Sequence, residues 1–201
     1  MNFKRARNKE QIMSRKKEIQ DACKKLYLEF GFDRVSLKAI SNMTSIARST
    51  IYLYYRNKEE IFFDLMIEDA KQWLDEMNDA YKKIGNKTPS DAFKEVLLKF
   101  FISRKNLVKV YSLYFSIIQE NVRNKYLIEY NKQTEKLFHE SIYAWLILIN
   151  KNTTIKQLEN FELLFYTFAN GVYTTTLGDE EKYIDICKKF IDMLVISVEN
   201  N

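Results

Sequence analysis

Apolar residues recur along this chain every three or four positions, the period of amphipathic helices. Ile19, Ala22, Cys23, Leu26, Tyr27 and Phe30 predict a first helix from about Gln11 to Phe30, with Gly31 as its stop. Two short helices should follow. Ser36 is placed to cap one that turns Leu37, Ile40 and Met43 inward. Thr44 and Ser45 break the pattern, Ile46 anchors the turn, and a second helix starting near Ala47 turns Ile51 and Tyr55 inward. Asn57-Lys58-Glu59-Glu60 reads as a capping box. It opens a helix carrying Phe62, Leu65, Met66, Ala70, Trp73, Leu74, Met77, Tyr81 and Ile84 up to Gly85. Thr88-Pro89-Ser90-Asp91 starts another, with Phe93, Val96, Leu97, Phe100 and Phe101 on one face.

Beyond a break near Lys105-Asn106, a short aromatic segment from Leu107 to Ile118 precedes a long predicted helix from Val122 to Ile149. That helix runs through Tyr126, Tyr130, Leu137, Phe138, Ile142 and Trp145. The last two predicted helices, Ile155 to Leu177 and Glu181 to Val198, are parted by Gly178-Asp179. The former carries Phe161, Leu164, Phe165, Phe168, Ala169 and Val172. The latter has Tyr183, Ile186, Cys187, Phe190 and Leu194 on one face and Ile184, Ile191, Val195 and Val198 on another. Two apolar faces need two partners, so this helix is expected to pack on its own core and on a second subunit.

Composition narrows the class further. With 46% hydrophobic residues in 201 there is ample material for a core, and only four Gly and one Pro leave little punctuation for a many-stranded sheet. The expectation is all-α, with about nine helices. Charge is uneven: residues 1–60 hold 14 Lys and Arg against 7 Asp and Glu, and residues 61–201 hold 18 against 20. The basic end is the end with the paired short helices, which favours a polyanion over a membrane. Residues 1–10, with Lys4, Arg5, Arg7 and Lys9, could serve as an arm on DNA phosphates or as a solubilising tail. They are not followed by the apolar run of a secretory signal, and the stretch Ile142 to Ile149 is far short of the ~20 residues of a membrane span. The expected location is the cytoplasm, with no membrane partner.

The segment from Ser36 to Lys58 has the layout of a helix-turn-helix, and its outer residues suit a DNA groove. Ser45-Ile46-Ala47-Arg48-Ser49-Thr50-Ile51-Tyr52-Leu53-Tyr54-Tyr55, then Asn57-Lys58-Glu59-Glu60-Ile61-Phe62, resembles the signature of the tetracycline-repressor (TetR) family. The family's usual form is Gly-Val-Ser-x-Gly-Thr-Leu-Tyr-x-Tyr-Phe followed by Ser-Lys-Glu-Glu-Leu-Phe. This chain has Ser45 and Ser49 where the family usually has Gly, and Ala47 where it usually has Ser. With Phe30-Gly31-Phe32 upstream, the match covers roughly the first third of the chain. The resemblance implies a DNA-binding domain over residues 1–56 and a ligand-binding and dimerisation domain over residues 57–201. It also implies a homodimer formed through the last two helices.

Arg48 can offer its fork to a guanine edge, while Ser49 and Thr50 are short enough to let the helix approach the bases. Tyr52, Tyr54 and Lys58 match family positions that usually contact phosphates, and Ser36 and Lys38 are placed to hold the opposite strand's backbone. Catalytic groups are scarce. His139 stands alone, Cys23 and Cys187 are far apart and read as small buried hydrophobes, and the four Gly form no phosphate loop. Neither an enzyme, a metal site, a cofactor nor a disulfide is expected. The aromatic set Phe100, Phe101, Tyr111, Tyr114, Phe115, Phe138, Tyr143 and Phe165 can serve as core or as the lining of an apolar ligand pocket. These observations together point to a ligand-responsive transcriptional regulator binding a double-stranded DNA operator; the family resemblance alone implies that it is a repressor, released by a small apolar or aromatic effector. The alternatives are a coactivator on the same fold that has lost operator binding and a helical enzyme or carrier using the aromatic cavity, against which the scarcity of catalytic groups argues.

Overall fold

The computed structural model describes residues 9–113, 117–124, 127–128, 135–176 and 178–200. Among them every regular element is helical. In chain order these are α1 (Lys9–Phe30), a 3-10 turn (Phe32–Arg34), α2 (Leu37–Met43), α3 (Arg48–Ile51), α4 (Lys58–Lys82) and α5 (Pro89–Ser103). They continue as α6 (Lys105–Tyr111), α7 (Gln119–Asn121), α8 (Lys136–Ile149), α9 (Ile155–Thr176) and α10 (Glu180–Glu199). The all-α class expected from the sequence is therefore the class observed, with ten described helices against about nine expected. None of these helices is long and apolar enough to cross a membrane.

The chain forms two compact units. The first runs to Leu65 and also takes in Ile117–Arg123; the second comprises Met66–Ser116 and the chain from Asn124 on. In the first, α1 buries Ile19, Ala22, Cys23, Leu26 and Tyr27, five of the six positions its periodicity selects, while the sixth, Phe30, is exposed at the helix end. Gly31 ends the helix in the left-handed region, at φ 80°, and its N–H donates to the Tyr27 carbonyl (2.9 Å). Phe62 of α4 then packs edge-on against Tyr27, with ring centroids 5.3 Å apart.

The second unit is built round α5, which packs against α8 and α10, and α9, which packs against α6, α8 and α10. Thr88 caps α5 as expected: its hydroxyl accepts from the Asp91 N–H (3.1 Å), and Pro89 occupies the first turn. The break between α5 and α6 falls at Arg104. Its nearly buried guanidinium donates to Asp69 (3.2 Å) and Glu76 (2.7 Å) on α4. The Arg104 hydrogen bond, opposed by partial burial, holds the Glu76 carboxyl below its usual range. The Tyr183 hydroxyl donates to the Phe101 carbonyl (3.0 Å) and ties α10 to α5.

Several expectations are corrected. Val122 is extended (φ −90°, ψ 138°) rather than the start of a helix, and Tyr126 and Tyr130 lie outside the described residues. Met43, Leu137 and Leu164 are exposed instead of inward. On α10, Ile191, Val195 and Val198 do not form a second, outward face. They are buried in the unit's own core beside Tyr183, Cys187 and Leu194. What the helix leaves outside is Met193 (57% exposed) and Ile196 (44%), with Ile186 and Phe190 half-buried.

Candidate nucleic-acid interface

The head is assembled by caps and shared acceptors. Ser36, in an extended conformation, caps α2 by accepting the Ala39 N–H on its hydroxyl (3.1 Å), and Lys38, in the first turn of that helix, is exposed. Leu37 and Ile40 face the core. In the turn, Ile46 is buried and the Ser41 hydroxyl donates to its carbonyl (3.0 Å). Glu18 of α1 takes both the backbone N–H (2.6 Å) and the hydroxyl (2.9 Å) of Ser45, so a side chain from another helix holds the turn. Ala47 begins α3 with no side-chain cap.

Helical hydrogen bonding continues past α3: the Tyr52 N–H donates to Arg48 and the Tyr54 and Tyr55 N–H groups to Ile51. On this path Ile51 and Tyr55 are fully buried. Arg48, Ser49 and Tyr52 are exposed, and Thr50 and Tyr54 are half-buried. Arg48 does not stand alone: its Nη2 donates to the Tyr52 hydroxyl (3.0 Å), with the guanidinium 5.6 Å from that ring's centre. Lys58 is turned back into the head. Its ammonium donates to the Phe32 carbonyl (2.8 Å) and lies 4.1 Å from the centre of the Phe32 ring. Arg48, Ser49 and Tyr52 are thus exposed along α3 and its continuation, with Arg48 bonded to Tyr52, and Ser36 and Lys38 are exposed at the start of α2, while Lys58 is engaged by Phe32. Residues 1–8 of the basic arm lie outside the described residues.

The platform behind the motif was not visible in the sequence. Asp64 accepts from the Tyr55 hydroxyl (2.8 Å) and from Lys16 (2.9 Å), joining α1, the end of the motif and α4. Asn57 caps α4, its carbonyl accepting the Glu60 N–H (3.0 Å), and its amide donates to the Asn121 carbonyl (2.8 Å). Glu60 reaches back to the Arg56 N–H (2.7 Å) rather than to Asn57, and its carboxylate takes a two-pronged ion pair from Arg123, with Nη2–Oε2 at 2.7 Å. Burial of Glu60 pushes its pKa up, but the hydrogen bonds from Arg123 and Arg56 outweigh this and hold it below the ordinary carboxylate range. A capping pattern pointed to Glu60, whereas nothing local pointed to Arg123.

Of the aromatic set, Phe100, Phe101, Phe138 and Phe165 are buried and share one cluster with Trp73, whose ring stacks on Phe165 at 5.4 Å. Tyr111 lies half-buried beside Phe100. The Tyr143 hydroxyl donates to the Thr153 carbonyl (3.4 Å). Tyr114 and Phe115 lie outside the described residues. Trp73, which the sequence reading left out of the set, has its indole N–H buried with no hydrogen-bond partner. His139 is half-exposed and pairs with Glu162 (3.0 Å). Burial raises the Glu162 carboxyl despite that bond. Cys23 and Cys187 are free, and burial pushes both thiols up to about 12.

A capped helix, a tight turn and a short outward helix, buried on one side and polar on the other, define a helix-turn-helix. Residues 19–65 match the model for bacterial regulatory proteins of the tetR family, and with the relatives and folds below this supports a TetR-family transcriptional regulator with a DNA-binding helix-turn-helix. The chain is 24% identical over 193 residues to the fatty acid metabolism regulator protein of Bacillus subtilis (strain 168), covering 91% of this chain and 95% of the relative. It is 28% identical over 112 residues to an uncharacterized HTH-type transcriptional regulator, YhgD, of the same organism, a match spanning 54% of each. Among solved structures it shares its fold with the regulator FadR from Bacillus subtilis in complex with stearoyl-CoA. There the TM-score is 0.61 and the identity 18%, over 89% of this chain and 97% of that one. Thermus thermophilus FadR, a TetR-family repressor in complex with lauroyl-CoA, gives a TM-score of 0.63 and 16% identity over 90% and 93%.

Proposed function

We propose that this regulator is a homodimeric repressor whose two heads occupy the half-sites of one operator and which a fatty acyl thioester releases. The observation that carries the effector reading is the pair of buried, unpartnered indole N–H groups of Trp73 and Trp145 inside one aromatic core cluster. A buried donor with no acceptor is rare in native proteins, and a ligand carbonyl would satisfy it while an acyl chain lies among the rings. The FadR proteins bound to stearoyl-CoA and lauroyl-CoA support the same class.

On the operator, Arg48 turns its fork to a guanine edge, Ser49 and Thr50 let the helix approach, and Tyr52 and Tyr54 contact phosphates. Ser36 and Lys38 hold the opposite strand. Lys58 reaches a phosphate only by leaving the Phe32 carbonyl, so it contributes less than its position in the motif suggests. The dimer face lies on the outer side of α9 and α10, where Leu164 (47% exposed) and Met193 (57%) flank Phe168 stacked on Phe190 (3.8 Å).

Fluorescence anisotropy on the DNA upstream of the chain's own coding sequence tests this. Saturating lauroyl-CoA or stearoyl-CoA should weaken binding by about 5–150-fold, and saturating DNA should weaken acyl-CoA binding by the same factor. Operator affinity unmoved by either thioester would remove the acyl-CoA reading.

A further inference from the structure

One residue of the motif has no packing role in the head. Leu53 is 69% exposed, more than any other large apolar side chain among the described residues. Its position follows from the helical path through α3: Ile51 and Tyr55, one turn apart, are fully buried, so the opposite side of that path belongs to Ser49 and Leu53, also one turn apart. Arg48 and Tyr52 flank this outermost stripe on one side and Thr50 and Tyr54 on the other. The path is real beyond Ile51, because the Leu53 N–H donates to the Thr50 carbonyl (3.1 Å) and Tyr52 is α-helical (φ −62°, ψ −17°).

We propose that Leu53 reads the 5-methyl group of a thymine in the major groove. The inference rests on α3 entering that groove, where the stripe farthest from the core comes nearest the bases. Of the base-edge groups in the major groove, the thymine methyl is the apolar one; the others are hydrogen-bond donors and acceptors that a leucine would desolvate without replacing. Ser49, one turn earlier on the same stripe, is small enough to let the leucine close on the methyl. Arg48 and Leu53 then select different base pairs by different physics, a forked hydrogen bond and an apolar contact.

The test uses the full chain. Operators are enriched from random duplexes, and each thymine is then replaced in turn by deoxyuridine, which removes only the methyl. One deoxyuridine position per half-site should weaken wild-type binding about fourfold, the equivalent of one buried methyl. In Leu53→Ala the same replacement should have no further effect, while the fold, read by circular dichroism, stays unchanged. Wild-type binding indifferent to deoxyuridine at every thymine overturns the assignment, as does a sensitive thymine that stays equally sensitive in Leu53→Ala. A failure to enrich any duplex overturns operator binding itself, and this assignment with it.

Discussion

Truncating Arg123 should loosen the head from a distance of 63 residues in sequence. The Glu60 side chain is 1% exposed and receives both prongs of the Arg123 guanidinium as well as the Arg56 N–H. Arg123→Ala therefore strands a buried carboxylate with no cation beside it, held only by the backbone N–H groups of Arg56 and residue 123. Removing one partner of a fully buried pair costs about 3–5 kcal/mol. The Arg123 side chain is 35% exposed, so solvent screens part of the interaction, and about 2–3 kcal/mol is the fitting range. Trp73 and Trp145 both belong to the second unit, which makes amide hydrogen exchange over Ser36–Tyr55 the direct assay of the first. Protection there should fall by roughly 30–150-fold in Arg123→Ala. Glu60→Gln on its own should cost less, because an amide keeps one acceptor, and adding it to Arg123→Ala should recover part of the loss.

The acid response follows from the same pair. The Glu60 carboxyl is depressed in the folded state, so its contribution is fully present above the unfolded value of about 4.3 and is lost as pH falls through the lower folded value. Arg123→Ala should flatten that part of the acid slope. A protection loss below threefold, or an unchanged acid slope, refutes the reasoning.

Three other outcomes are expected. Arg48→Ala should cost about 1–3 kcal/mol per half-site and relax preference at one base pair, measured by titrating matched and single-substituted operators; equal losses on every sequence would make Arg48 a phosphate contact. Met193→Asp should give a folded monomer by light scattering, whereas Ile191→Asp, at a site only 2% exposed, should unfold the second unit and not merely split the dimer. With both thiols raised to about 12, neither Cys23 nor Cys187 should react with iodoacetamide at pH 8 until the protein is unfolded in urea, and stoichiometric labelling of the native protein would contradict their burial.

Local chemistry was legible in the sequence. Ser36, Gly31, Thr88 and Asp179 act within four residues of themselves, and each caps or ends its helix as its residue type dictates. Periodicity also found Ile51 and Tyr55, because the inner face of a short helix has one neighbour to meet. It misassigned Ile191, Val195 and Val198 because a pattern records that a face is apolar and not which surface covers it; α5 and α9 wrap far enough round α10 to bury both of its stripes. Met43, Leu137 and Leu164 fit the helical period yet sit at the edge of their faces, where exposure is decided by tertiary neighbours. Contacts such as Glu18 with Ser45 and Glu60 with Arg123 join residues 27 and 63 positions apart and leave no local trace. Leu53 escaped notice because an exposed leucine satisfies no folding rule.

The first unit is not a continuous piece of chain. The polypeptide leaves it after Leu65, returns at Ile117 and leaves again after Arg123. Anyone transplanting this head onto another effector module therefore inherits a splice with three joints, not one. A fragment ending at Leu65 would lack buried Ile118 and Val122, the Asn121 carbonyl that holds Asn57, and the cation that neutralises Glu60. A transplant that keeps its shape must carry residues 117–123 as well, supplied in cis by a redesigned linker or in trans as a peptide.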